Sequence, residues 1–304
     1  MRNRLIVVTV VILAIALCPF AGGALPQETP VVVPAAWLAD RLSDERLVVL
    51  HVGDERSWRG GHIPGASLFP TAAFVTERDG LTMEMPDPAA LEEALEGAGV
   101  TEASHIVLYA AGQPPRVAAR LYVTLARAGL GERASVLDGG LDAWRAEARP
   151  VTTEATAPRR GSVRLAPRED VLVDHAWVGE RLGRSDLAVV DARAPRFWSG
   201  AEWNRQRAAR PGRIPGALNV PFDALVDEDG RMLPKDALAA LFAEAGVAPG
   251  QPLVAYCHVG LQASLLFVAA RHLGHEVRLY DGSFEDWSRR AELPVEGPRP
   301  SGGP

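Results

Sequence analysis

The chain of 304 residues is 47% hydrophobic and 23% charged, with a formal net charge of −6. That balance is ordinary for a globular protein, and its mild acidity, with no basic stripe or run, excludes nucleic acid as a partner. Seven scattered histidines and only two cysteines, Cys18 and Cys257, offer no metal-ligand spacing, so no metal is expected.

Met1-Arg2-Asn3-Arg4 is basic, Leu5 to Leu17 is almost wholly apolar, and Ala21-Gly22-Gly23-Ala24 supplies small residues. This is the layout of a secretory signal peptide, residues 1–24, cleaved after Ala24. The apolar run is shorter than the roughly 20 residues a spanning helix needs, so cleavage is expected rather than a permanent anchor. Cys18 follows the bulky Leu17, which argues against lipid attachment. The mature protein is then periplasmic or secreted, without stable membrane insertion, and its about 280 residues suit two domains. Cys257 becomes its only thiol.

Residues 31–150 form the first expected domain. Leu47-Val48-Val49-Leu50-His51-Val52 reads as a strand, and Gly61-His62-Ile63-Pro64-Gly65-Ala66 as a turn. Leu91 to Gly97 has helical spacing, His105-Ile106-Val107-Leu108-Tyr109 is a second strand, and Val117 to Ala128 a second helix. Val136-Leu137-Asp138-Gly139-Gly140-Leu141-Asp142-Ala143-Trp144 closes the half. Residues 151–167, rich in Thr, Ala, Pro and Arg and without periodicity, read as a linker.

The second domain, residues 168–295, repeats these landmarks in order. They are Leu187-Ala188-Val189-Val190-Asp191-Ala192, Gly212-Arg213-Ile214-Pro215-Gly216-Ala217, Pro252-Leu253-Val254-Ala255-Tyr256, and Arg278-Leu279-Tyr280-Asp281-Gly282-Ser283-Phe284-Glu285-Asp286-Trp287. Ala237 to Ala245 and Ala263 to His272 lie between them at helical spacing. The chain is a duplicated domain. Residues 296–304 are Pro/Gly-rich and read as a disordered tail. Strands alternating with helices predict an α/β fold: two tandem domains, each an open, mainly parallel sheet with helices on both faces. Reactive groups in such sheets sit at the carboxyl ends of the strands.

Cys257 stands there, directly after the strand Leu253 to Tyr256 and before the apolar run Leu265 to His272. A tight turn through Gly260 into a helix start would set the sulfur over a ring of backbone N–H groups. That arrangement stabilises anions and is expected to lower the thiol pKa. The bland alternative is a small buried hydrophobe. In the first half the matching turn reads Ala110-Ala111-Gly112-Gln113-Pro114-Pro115 and holds no nucleophile, so that half is a scaffold.

The repeated Gly-x-Ile-Pro-Gly-Ala and Asp-Gly-(Gly/Ser)-x-x-x-Trp elements and the loop from Cys257 to Ser264 resemble the tandem-domain rhodanese family over residues 34–294. Its members are thiosulfate or 3-mercaptopyruvate sulfurtransferases, typically with a silent first copy and an active second one. The resemblance implies tandem rhodanese-like domains, no cofactor, and a persulfide mechanism. Cys257 would take a sulfane sulfur from a small anionic donor and pass it to a thiol or cyanide. The resemblance also implies that His258, Val259, Gly260, Leu261, Gln262 and Ala263 surround the donor and the persulfide. Whether His258 and Gln262 face the pocket or solvent stays open at this point. Arg196 matches the arginine that binds the donor anion, for which a guanidinium fork is suited. Arg205, nine residues on, matches a second carboxylate-binding arginine of mercaptopyruvate-type members, although Trp198 to Asn204 depart from their pattern. Asp191 and Arg193 read as a structural pair near the site. His258-Val259 fits neither donor type.

The residues also bear on three rival functions. A cysteine phosphatase or arsenate reductase needs an arginine where this chain has Ala263. A thioredoxin-like oxidoreductase needs a second, resolving cysteine. A non-enzymatic periplasmic sulfur carrier or binding protein on the same scaffold remains the alternative.

Overall fold

We describe the computed structural model over residues 29–112, 115–155 and 157–297. The signal segment expected at residues 1–24 lies outside the described residues. The first half contains β1 (Val32–Val33), α1 (Ala35–Ala39), β2 (Leu47–Gly53), α2 (Glu55–Arg59), β3 (Ser67–Pro70), β4 (Thr76–Arg78), β5 (Leu81–Glu84), α3 (Pro88–Gly97), β6 (His105–Tyr109), α4 (Arg116–Arg127), β7 (Ala134–Leu137) and α5 (Gly140–Ala146). The second contains β8 (Leu172–Val173), α6 (His175–Gly179), β9 (Ala188–Asp191), α7 (Pro195–Trp198), β10 (Leu218–Asn219), α8 (Lys235–Glu244), β11 (Leu253–Tyr256), α9 (Leu261–His272), β12 (Val277–Tyr280) and α10 (Ser283–Arg289).

Each half is a five-stranded parallel sheet. The strand orders, β1-β7-β6-β2-β3 and β8-β12-β11-β9-β10, are the same order in the two copies. The central pairs share a register too: Val48 stands opposite Ile106 in β2–β6, and its counterpart Ala188 opposite Leu253 in β9–β11. Parallel strands covered by helices on both faces favour continuous apolar runs, which is why β11 reads Leu-Val-Ala-Tyr and is buried throughout.

The copies also repeat their closing bonds. The Ile63 amide donates to Tyr109 Oη at 3.0 Å, and the Ile214 amide to Tyr256 Oη at 3.2 Å. Trp144 and Trp287 each donate their indole N–H to a backbone carbonyl, of Pro150 and Pro294, at 2.8 Å. His62 bridges Thr152, and Arg213 bridges Glu296, as antiparallel pairs. Glu296, placed in the tail by the sequence, is therefore tied down, and its carboxylate also accepts from Gly216 N at 2.8 Å. The rest of that tail beyond Gly297 lies outside the described residues. The linker segment is likewise strapped to α3. Gly161 N donates to Glu96 O at 2.8 Å, and Leu165 N to Glu92 Oε2 at 3.1 Å.

One apolar core runs through both halves, because α4 packs on α9, with the Tyr122 and Phe267 ring centroids 6.5 Å apart. Every residue of α9 from Ala263 to Ala270 is buried, so this helix is apolar all round rather than amphipathic. The antiparallel hairpin β4–β5 leaves the first half and reaches the second. Among the described residues no helix is long and apolar enough to cross a membrane.

Candidate active site

β11 ends at Tyr256, the chain passes through Cys257, His258 and Val259, and α9 begins after Gly260. Gly260 has φ +83°. That left-handed conformation is open to glycine and costly for a residue with a Cβ. Space adds a second reason, since a Cβ there would lie 3.0 Å from both Arg120 Nη1 and Asp281 Oδ1. The turn aims the N–H groups of Ala263, Val259 and Gln262 at the Cys257 sulfur. These are the amides of a helix start, which carry the partial positive charge that suits an anion.

The thiol itself is wholly buried. Burial pushes the Cys257 thiol up, the three amides pull it back, and the Asp191 carboxylate pushes it up again. The expected lowering of its pKa is thereby corrected. Sequence reveals the amides but not the depth, and in the resting site the depth wins. The cradle favours a charged sulfur once one forms, while burial favours the neutral thiol.

A second strand end supports the loop. Cys257 N donates to Ser283 Oγ at 3.2 Å, and Ser283 Oγ donates to Tyr280 O at 2.9 Å. Phe284 N donates to Cys257 O at 3.0 Å, and Glu285 N to His258 O at 2.9 Å. Ser283 is buried at φ +52°, in a region where side chains are strained. In the first half Gly140 holds this place at φ +56°, where a Cβ would sit 2.6 Å from Ala110 O. The signal for Ser283 was in the sequence: a serine stands where the sister copy has glycine.

His258 is turned inward. Only 8% of it is exposed, its Nδ1 lies 3.4 Å from Gln262 Oε1, and its ring meets Phe197 edge-on at 5.0 Å. Burial lowers its pKa to about 4, with the Arg193 charge acting in the same direction. Asp191 and Arg193 form a buried pair. Arg193 Nη2 donates to Asp191 Oδ2 at 2.6 Å and to Gly212 O at 2.8 Å, and the guanidinium lies 4.3 Å from the Phe284 ring.

The two arginines singled out from sequence are both exposed. Arg196, on α7, is exposed and pairs with Glu202 Oε2 at 3.0 Å; the next residue is Phe197, which walls His258. Arg205 is exposed and stacks on Trp203 at 4.0 Å, and no hydrogen bond or ion pair among the described residues joins it to the loop. Arg207, unforeseen, comes closer. Its Nη1 donates to Thr82 Oγ1 at 2.7 Å, and its charge also disfavours protonation of His258. Thr82 belongs to the hairpin of the first half and bonds Glu285 Oε2 through both its amide, at 3.0 Å, and its hydroxyl, at 3.1 Å. The half without a thiol is thus bonded to Glu285, whose amide holds the His258 carbonyl of the loop. No group of His, Cys, Asp and Glu able to hold a metal occurs among the described residues.

A cleft of about 930 Å³ opens between the halves, lined in part by Glu84, Leu165, Val173 and Tyr280. It meets the loop region at Asp281 and Gly282, and Cys257 does not line it.

Comparison with known proteins gives the same duplication. The family described as "Rhodanese-like domain" matches residues 34–147 and again 174–290. The chain is 31% identical over 287 residues to a "Putative thiosulfate sulfurtransferase" of Synechococcus elongatus, covering 90% of this chain and 87% of that protein. It is 32% identical over 277 residues to "3-mercaptopyruvate sulfurtransferase" of Escherichia coli, covering 87% and 97%. Among solved structures, the enzyme EanB, in a form carrying a cysteine persulfide with ergothioneine, is similar with a TM-score of 0.78 at 25% identity, covering 89% of this chain and 71% of that one.

Proposed function

Since the chain belongs to the rhodanese-like family and carries two of its domains in tandem, we propose that it moves a sulfane sulfur from thiosulfate or 3-mercaptopyruvate, through a persulfide on Cys257, to a thiol or cyanide. A sulfurtransferase role follows from its relatives; the two named above carry different donors at nearly equal identity, so both belong to the proposal.

The observation that carries the mechanism is the set of three amides on one buried sulfur. The Cys257 sulfur attacks the outer sulfur of the donor, a new S–S bond forms, and the bond to the old carrier breaks. The proton of the thiol ends on the leaving group, as hydrogensulfite or pyruvate. The persulfide anion left behind meets dipoles fixed in place beforehand, which stabilise charge without reorganisation. An acceptor then takes the terminal sulfur, and the pair of electrons in the S–S bond returns to Cys257. His258, with its pKa near 4, is neutral at pH 7 and shapes the wall rather than shuttling protons. Arg196 offers the donor an exposed fork in exchange for Glu202.

Residues 1–24 extend the proposal to an exported enzyme, acting in the periplasm or outside the cell. N-terminal sequencing of the protein from fractionated cells tests this; a start at Met1 in the cytosolic fraction overturns it. The activity is tested by thiocyanate formation from cyanide with each donor. Turnover by the wild type that is lost in Cys257→Ser supports the enzyme. An isolable persulfide without turnover on either donor supports the non-enzymatic carrier instead.

A further inference from the structure

The loop bearing Cys257 is braced from the other half. Arg120, in the middle of α4, is wholly buried. Its Nη1 donates to Asp281 Oδ1 at 2.5 Å, its Nη2 donates to the carbonyl of Met83 in β5, and its Nε has no partner among the described residues. Asp281 precedes Gly282 and Ser283, the turn whose hydroxyl accepts from Cys257 N–H. The pair also presses on Gly260, where a Cβ would meet Arg120 Nη1 and Asp281 Oδ1 at 3.0 Å each. One guanidinium therefore backs both ends of the cradle: the turn that caps the Cys257 amide, and the glycine that starts α9.

The sister copy shows that the fold does not require a charge here. Arg120 is the fifth residue of α4, and the fifth residue of α9 is Leu265. Asp138, the counterpart of Asp281, accepts the backbone amide of Met232 at 2.7 Å; the Arg231 charge nearby acts on it, but Arg231 pairs with Glu147, and among the described residues no arginine forms an ion pair or hydrogen bond with Asp138. Burying a charged pair stabilises a fold little, and apolar residues of similar volume do as well or better. Of these two equivalent places, among the described residues, the buried ion pair is found behind the loop that holds the thiol.

We propose that Arg120 is a positioning residue through which the thiol-less half holds the amides of Val259, Gln262 and Ala263 in register on Cys257. The inference rests on Cys257 being the sulfur carrier, as proposed above. Arg120 is not among the groups that act on the sulfur; the charged groups that do are Asp191 and Arg193 beside β11, and they act on His258 in the loop as well. The effect of Arg120 is through backbone geometry.

The test uses the full chain with Arg120→Met, Arg120→Lys and Asp281→Asn. It follows alkylation of Cys257 by iodoacetamide against pH, beside thiocyanate kinetics with thiosulfate. Methionine fills the space and keeps the sulfur buried, so only the amide alignment is lost. The alkylation midpoint should then rise by about one pH unit. The turnover number should fall about tenfold or more, while KM for thiosulfate changes little. Arg120→Lys should recover part of both. A folded Arg120→Met with the wild-type alkylation profile and turnover overturns the proposal. Should Arg120→Met fail to fold, wild-type profiles in both Arg120→Lys and Asp281→Asn overturn it equally. A shifted alkylation profile in a protein whose wild type makes no thiocyanate would sink the sulfurtransfer reading and leave the bracing intact.

Discussion

Gly260→Ala probes the cradle at its most constrained point. The left-handed φ of +83° costs an alanine about 1–2 kcal/mol. The new methyl would also stand 3.0 Å from Arg120 Nη1 and Asp281 Oδ1, closer than carbon normally sits, so the pair must yield. Weakening one buried charged hydrogen bond of that kind costs about 1.5–3 kcal/mol, while the stiffer unfolded chain returns about 0.4–1. A net loss of about 2–4 kcal/mol should lower Tm by about 5–10 °C. Gly250→Ala serves as the control, because Gly250 has φ +71° with nothing within 4 Å of a Cβ, so it carries the strain without the contact. Turnover should fall about tenfold or more in Gly260→Ala and stay near wild type in Gly250→Ala, since each displaced amide removes stabilisation of the sulfur anion. Calorimetry and thiocyanate kinetics on the three proteins decide it. Equal Tm values for the two variants, with turnover unchanged, would refute the claim that Gly260 is held by Arg120 and Asp281.

Ser283→Ala should lose about 1–3 kcal/mol by leaving the buried Cys257 amide unpaired. Ser283→Gly should lose less, because it also relieves the φ of +52°; denaturant titration ranks the two, and a milder alanine would contradict the strain argument. Arg196→Ala should raise KM for the donor while leaving Cys257 open to alkylation, and an unchanged KM removes Arg196 from the donor site. Burial raises the pKa of Glu84 to about 7 from the 4.5 of a free carboxyl, so the folded state favours its protonated form. Its contribution is therefore present below pH 4.5 and is lost as pH rises through 7. Glu84→Gln should match the wild type near pH 5 and exceed it by about 1–3 kcal/mol at pH 8. Equal stability at both values would show that Glu84 ionises freely.

Much of the architecture was legible because duplication wrote it twice. The strands His105–Tyr109 and Leu253–Tyr256 stand where their apolar runs place them, since parallel strands buried on both faces favour such runs. The start of α9 was harder. Its apolar run begins at Leu265, but the left-handed Gly260 turns the chain into helix four residues sooner. Asp191 and Arg193 were readable as a pair because they sit two residues apart on one strand end. Arg207 with Thr82, and Arg120 with Asp281, were not, since each pair joins distant parts of the chain across the two halves and leaves no local pattern. The direction of the Cys257 pKa failed for a related reason. Amide dipoles follow from a turn, whereas burial depends on how the halves close over it.

The most direct measurement is mass spectrometry of the peptide containing Cys257, after incubation of the protein with thiosulfate or 3-mercaptopyruvate and without reductant. A gain of one sulfur atom on Cys257, removed by cyanide with release of thiocyanate, is the expected result. A Cys257 peptide that never gains sulfur from either donor, in a folded protein, would contradict the account at its centre.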